Sequence, residues 1–232
     1  ASASDRGRPP SHRRAFDQGH VDRMTTGRVA IVDLGLGNLH SVAKAFERAG
    51  ADAELSSDPD VLLRADRLVM PGQGAFKECA RALAGEIGDA VREWIDSGRP
   101  YLGICLGMQA LFEESEEAPG EKGLGIFPGA VKRFATDLRD AEGGRLKVPH
   151  IGWNQIASRH PVFENEEWYY FVHSYYCVPA DESLVVATTD YGGPFCSAIA
   201  RDNVLACQFH PEKSQHAGAR MIGHFLGDVS WS

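Results

Sequence analysis

The sequence is short of several features that would each point to a particular class of protein. No run approaches the roughly 18 to 20 consecutive apolar residues that a membrane span requires, although 43% of the 232 residues are hydrophobic. There is no dense Lys/Arg block: 24 basic residues face 32 acidic ones, for a formal charge of −8. A nucleic-acid binder of this size carries a basic footprint instead. The five cysteines (Cys79, Cys105, Cys177, Cys196, Cys207) are odd in number and never spaced as CxxC, which argues against a disulfide framework or a cysteine-rich zinc site. No two histidines stand in HExxH spacing, so neither a metal nor a cofactor is expected. What is left is a chain long enough to bury its own core, expected in a reducing, cytoplasmic setting.

Residues 1–23 differ from the rest, being rich in Arg, Ser and Pro and poor in aliphatics, with five Arg against three Asp. They hold no hydrophobic region of the kind a secretory signal needs. The expectation is a disordered tail over 1–27, with Met24 as a natural start, and one domain over 28–232. The body is then more acidic than the whole chain.

From residue 28 onward the first half alternates short apolar runs with helical patterns. Residues 29–34 (VAIVDL) are almost uninterruptedly apolar, as a parallel strand buried on both faces would be. Helical spacing follows over 41–49, ending at Gly50. A strand at 53–55, a helix at 59–64, a strand at 67–70, helical sequence over 76–97 and a strand at 101–104 complete this half. The second half reads as short strands at 131–134, 147–148, 154–157, 168–172, 184–189, 195–201 and 204–209, with Asp202-Asn203 as a hairpin turn and a closing helix over 215–226. The predicted fold class is α/β: a doubly wound, mostly parallel sheet with a smaller antiparallel extension.

The strongest chemical signal is GICLGMQ (103–109). Cys105 is centred between two glycines, at a strand end and a helix start, where a nucleophile sits on a sharp strand-to-helix turn. A helix N-terminus there favours the thiolate, and the C-terminal edge of a parallel sheet is where this fold class binds ligands. The bland alternative is a buried cysteine acting as a small hydrophobe. The second signal is QFHPE (208–212). A thiolate needs a base, and the base needs an orienting acid; His210 and Glu212 suit these parts, although alone they read as a surface turn. The other four cysteines read as core. His150 and His173 lie in the unusual strings PHIGWN and YFVHSYY.

Taken together, GICLGMQ and QFHPE resemble the triad-type (class I) glutamine amidotransferases, whose fold is flavodoxin-like. GLGN (35–38), PGQGAF (71–76), EESEE (113–117), PHIGWN (149–154) and YFVHSY (170–175) narrow the resemblance to the glutaminase subunits of imidazole glycerol phosphate synthases. The resemblance spans roughly residues 28–227. It implies that Cys105 attacks the side-chain amide of L-glutamine and that His210, oriented by Glu212, handles the protons. It further implies an oxyanion hole from the Leu106 amide and the Gln73-Gly74 loop, and substrate contacts from Gly72, Gln109, Glu117 and Ser174. Ammonia would pass to a (β/α)8-barrel cyclase subunit bound as a heterodimer, with Asn38, Trp153 and Lys213 bordering that interface, for histidine biosynthesis. One departure is visible: the loop reads Pro-Gly-Gln-Gly, with Gln73 where the family commonly has an apolar residue. The competing readings are a glutaminase serving another acceptor, against which PHIGWN and YFVHSY speak, and a catalytically idle scaffold, which an intact Cys105, His210 and Glu212 disfavours.

Overall fold

The computed structural model describes residues 27–158 and 160–227. The expected tail, Gly27 apart, lies outside the described residues. The first half follows the alternation read from the sequence: β1 (Arg28–Val32), α1 (Leu39–Arg48), β2 (Asp52–Ser56), α2 (Pro59–Arg64), β3 (Arg67–Gly72), α3 (Phe76–Ala82), α4 (Glu86–Asp96), β4 (Tyr101–Cys105) and α5 (Leu106–Gln109). Its strands pair in parallel in the order β2-β1-β3-β4. Helix starts obey local chemistry. Asn38 accepts from the Ser41 N–H and Asp58 from the Asp60 N–H, with Pro59 opening α2, each satisfying an orphan donor of a first turn.

The second half adds β5 (Glu114–Ser115), β6 (Gly129–Arg133), β7 (His150–Gln155), β8 (Ala157–Ser158), β9 (Trp168–His173), β10 (Tyr175–Pro179), β11 (Val185–Asp190), β12 (Pro194–Arg201), β13 (Val204–Cys207) and α6 (Gln215–Leu226). Among the described residues, eleven strands form one sheet, continuing from β4 through β13, β12, β10, β6 and β5, with β11 and β8 branching from β12. Strand β13 is parallel to β4 and antiparallel to β12, so the parallel and antiparallel halves meet there. Strands β7 and β9 make a separate antiparallel pair. The chain therefore changes sheets at Ser174, between β9 and β10.

The apolar run of β1 is explained by its two faces. Val29 and Ile31 join the core that holds Phe46 of α1 and Phe225 of α6, whose rings meet edge-on at 6.2 Å. Ala30 and Val32 join the opposite core, with Leu68, Met70 and Trp94. Burial of these side chains, at about 25 cal/mol per Å², is the main stabilising term.

Several expectations need correction. The helical sequence over 76–97 is broken at Gly85, and Gly88 packs so tightly that a Cβ there would lie 1.8 Å from the Leu83 carbonyl oxygen. Residues 147–148 are not a strand: they precede Pro149, and the Lys147 carbonyl accepts the Tyr191 hydroxyl at 2.7 Å. The expected strand 154–157 straddles β7 and β8, which belong to different sheets. The last strand stops at Cys207, not 209. Among the described residues no helix is long and apolar enough to cross a membrane, and no cluster of three or more His, Cys, Asp or Glu side chains is placed to hold a metal.

Candidate active site

Cys105 ends β4 at φ 55° and ψ −107°, a left-handed backbone that costs a non-glycine residue on the order of 1–3 kcal/mol. Such strain persists where the surroundings over-determine it, and here the glycines do so. A Cβ on Gly103 would lie 2.8 Å from the Gly107 carbonyl oxygen, and one on Gly72 would lie 2.7 Å from the Leu106 Cβ. The glycines of GICLGMQ are thus contact requirements between α5 and the sheet. Helix α5 is a single turn of four residues, so the free N–H groups of its first turn count for more here than a long helix dipole.

His210 lies three residues beyond the end of β13 and caps a 3₁₀ turn over Pro211–Lys213. Because β13 runs parallel beside β4, with Cys207 opposite Ile104, both chains leave the sheet at the same edge. The His210 Nδ1 is 2.8 Å from Glu212 Oε1, with the two side chains only 2% and 1% exposed. The backbone of His210 is held as well, its N–H donating to the Tyr170 carbonyl and its carbonyl accepting the Ser214 hydroxyl. Burial opposes a charge on this imidazole, but the Cys105 sulfur and the Glu212 carboxylate outweigh it and raise its pKa. Its Nε2 and Glu212 Oε2 are buried without a hydrogen-bond partner. An imidazole fixed at one nitrogen and unoccupied at the other is the arrangement a general base and acid requires.

Cys105 and His210 open onto a cavity of about 360 Å³, lined also by Gln73, Gly74, Leu106, Gln109, Glu117, Ser174 and Lys213. That volume suits a small substrate. Gly72 lies beside it, lining a smaller crevice with Asn38 and Glu212. Trp153 lies elsewhere, on the outer face of β7 with its ring edge-on to Tyr170. Gln73 rests against the 35–38 loop, where a Cβ on Gly37 would lie 2.7 Å from the Gln73 Cβ. Glu117 Oε2 accepts the Phe76 N–H at 3.1 Å; burial raises its pKa, the Phe76 N–H pulls the other way, and Glu78 adds to the rise. The NH2 group of Gln109 is fully engaged within the protein, donating to the Tyr175 carbonyl and to Gln208 Oε1, both at 3.1 Å. Sequence reasoning missed Val172, His173 and Tyr175, which also line the cavity, and Gln208, whose Nε2 donates to Cys105 Sγ at 3.5 Å. YFVHSYY was the signal for the first three.

Comparison with known proteins bears on this geometry. The family described as Glutamine amidotransferase class-I matches residues 30–228. The chain is 51% identical over 207 residues to the imidazole glycerol phosphate synthase subunit HisH of Syntrophotalea carbinolica, covering 87% of this chain and 100% of that one. It is 50% identical over 212 residues to the HisH of Methylococcus capsulatus, covering 88% and 98%. The chain belongs to the HisH family of class-I glutamine amidotransferases. Solved structures agree on the fold. A glutamine amidotransferase crystal structure superposes with a TM-score of 0.67 at 22% identity, over 86% of this chain and 97% of that one. PurLQS from Thermotoga maritima gives 0.67 at 17% identity, over 86% and 96%. This HisH-family chain is thus an enzyme, a glutaminase, and its cavity lies at the edge of the sheet where Cys105 and His210 come together.

Proposed function

We propose that residues 28–232 form one glutaminase domain in which Cys105 is the nucleophile, His210 the acid and base, and Glu212 the orienting carboxylate. The observation that carries this reading is the buried His210–Glu212 pair facing the Cys105 cavity. The sulfur attacks the side-chain amide carbon of L-glutamine. Protonated His210 gives its proton to the departing nitrogen, ammonia leaves, and a γ-glutamyl thioester remains. Neutral His210 then takes a proton from water, which attacks the thioester and releases glutamate. Each tetrahedral oxyanion needs preorganised N–H donors, each worth about 3 kcal/mol. The Leu106 amide and the Gln73-Gly74 loop border the cavity beside the sulfur and suit that role. Gly72, Gln109, Glu117 and Ser174 are the residues assigned to glutamine; with its NH2 group already engaged, Gln109 offers the substrate its carbonyl oxygen.

The relatives are named as subunits of imidazole glycerol phosphate synthase, and we infer that this chain also works with a partner, a (β/α)8-barrel cyclase in a cytoplasmic heterodimer. It would use the ammonia to make imidazole glycerol phosphate and the aminoimidazole carboxamide ribotide in histidine biosynthesis. The outer face of β7 and β9 supports a docking role, because Ile151, Trp153 and Trp168 are the exposed large hydrophobic residues of the described chain. Exposed aromatic and aliphatic groups gathered on one face mark interaction surfaces. Lys213, whose ammonium stands 5.8 Å from the centre of the Tyr170 ring, and Asn38 are assigned to this interface. Passing ammonia directly keeps it from being protonated in water.

The deciding experiment is a glutaminase assay of the chain and of Cys105→Ala, with and without a cyclase and its nucleotide ligand. The expected result is turnover that rises with the partner and disappears in Cys105→Ala, while the cyclase still uses added ammonium. Turnover surviving in Cys105→Ala overturns the nucleophile; full activity of the isolated chain overturns partner activation.

A further inference from the structure

Gln208, completely buried, follows the last residue of β13. Its Nε2 donates to Cys105 Sγ at 3.5 Å and its Oε1 accepts from Gln109 Nε2 at 3.1 Å. The Gln109 amide also donates to the Tyr175 carbonyl at 3.1 Å. That carbonyl accepts a second bond, from His173 Nδ1 at 2.8 Å. His173 Nε2 in turn stands 3.2 Å from His150 Nδ1, and His150 Nε2 faces Asn154 Nδ2 at 3.4 Å.

The polarity of this chain of bonds follows from the carbonyl, which can only accept. His173 therefore carries its hydrogen on Nδ1 and presents a bare Nε2 to His150, whose own hydrogen must then be on Nδ1. In the other direction, Gln109 must turn its NH2 group to Tyr175, and the same group meets Gln208. Gln208 must answer with its oxygen, which leaves its NH2 group facing sulfur. Reversing the Gln208 amide would set NH2 against NH2 and an oxygen lone pair against Sγ.

The geometry points to Gln208 as a positioning residue that holds the Cys105 sulfur with an N–H whose orientation is set, through Gln109, by the Tyr175 carbonyl, which His173 holds from its other side. The inference rests on Cys105 being the nucleophile and adds a residue that acts through it. The amide exchanges no proton. It favours the sulfur anion by donating to it and fixes where the attacking lone pair lies, as hydrogen bonding to a charged form does generally. The two-stranded sheet bearing the exposed Ile151 and Trp153 thereby ends, bond by bond, at the reactive sulfur.

The test is Gln208→Leu in the full chain, read by the rate of Cys105 alkylation with iodoacetamide at neutral pH, with Cys105→Ala as the blank. Alkylation follows the thiolate fraction. It is expected to slow about tenfold or more, as losing a hydrogen bond to a charged group implies, with kcat for glutamine falling in parallel and KM within about twofold. An unchanged alkylation rate beside a lost kcat overturns the proposal. Should Gln208→Leu fail to fold, the unsubstituted chain with ¹⁵N-labelled glutamine side chains decides. A side-chain amide signal should move as the thiol ionises and stay still in Cys105→Ala; a signal that moves in both, or in neither, overturns the proposal. Failure of the nucleophile reading is seen separately, as glutaminase activity in Cys105→Ala, whereas the alkylation rate and the amide signal report on the Gln208 bond to the sulfur.

Discussion

A β-carbon on Gly107 would lie 1.8 Å from the carbonyl oxygen of Met70. The backbone of α5 is laid directly on β3, and no flexible side chain stands between them to give way. Gly107→Ala must push the helical turn off the strand, and Cys105, two residues earlier, goes with it. Overpacking of this kind costs about 1–3 kcal/mol, and a displacement of about 1 Å at a reacting atom costs about 100-fold in rate. We expect a lower melting temperature and at least that loss in kcat, measured by thermal denaturation and by glutamate release.

Glu212→Gln keeps the shape of the buried pair and removes its charge. The amide can offer His210 Nδ1 an N–H in place of an oxygen, selecting the wrong tautomer. In a comparable triad that change costs about 10⁴-fold in kcat, and a fall of about 100-fold to 10⁴-fold is expected here with KM little changed. Steady-state kinetics at saturating glutamine measure it, and a loss under tenfold would deny Glu212 its orienting role.

Burial holds the pKa of His150 down to about 4 and, helped by its histidine neighbours against the Tyr175 carbonyl, that of His173 down to about 3, from an ordinary 6.5. Between those values the unfolded chain binds protons that the folded chain refuses. The stability owed to the neutral pair is thus fully present above about pH 6.5 and is lost as the pH falls toward 4 and then 3. With up to about 1.4 kcal/mol per pH unit for each group, urea midpoints should drop steeply between pH 6.5 and 4. His150→Phe should flatten that slope, whereas equal slopes in the two chains would assign the acid sensitivity to other groups.

Ile151, at 59% exposure, stands on the outer face of β7. Ile151→Asp places a charge on the proposed docking face without touching the cavity. A residue central to an interface is worth about 2 kcal/mol or more, so affinity for a cyclase subunit should fall about 30-fold, as titration calorimetry would record. Unchanged affinity would move the docking face elsewhere.

Much of this was legible in the sequence because parallel strands buried on both faces are apolar at every position, as in β1, and because Pro59 and the closing pattern of α6 mark their own boundaries. Cys105 and His210 were legible as candidates as well, since the first ends a strand between two glycines and the second stands shortly after one, before a proline. Strand β10 was not, because residues 168–179 are continuously strand-like and only the three-dimensional pairing shows the chain leaving one sheet for another at Ser174. Gln208 was out of reach for a related reason. What its amide does depends on a carbonyl at Tyr175 and on Gln109, whose sequence position is 99 residues away.

The junction of β4 with β13 also governs when the site comes into being. The thiol and the amide that holds it are 103 residues apart, and β13 lies between β4 and β12, parallel to the first and antiparallel to the second. A ribosome therefore makes the cysteine early and everything that would sharpen it late. The last strand and the turn after it carry Gln208, His210 and Glu212, so the proposed site is complete only when the sheet is.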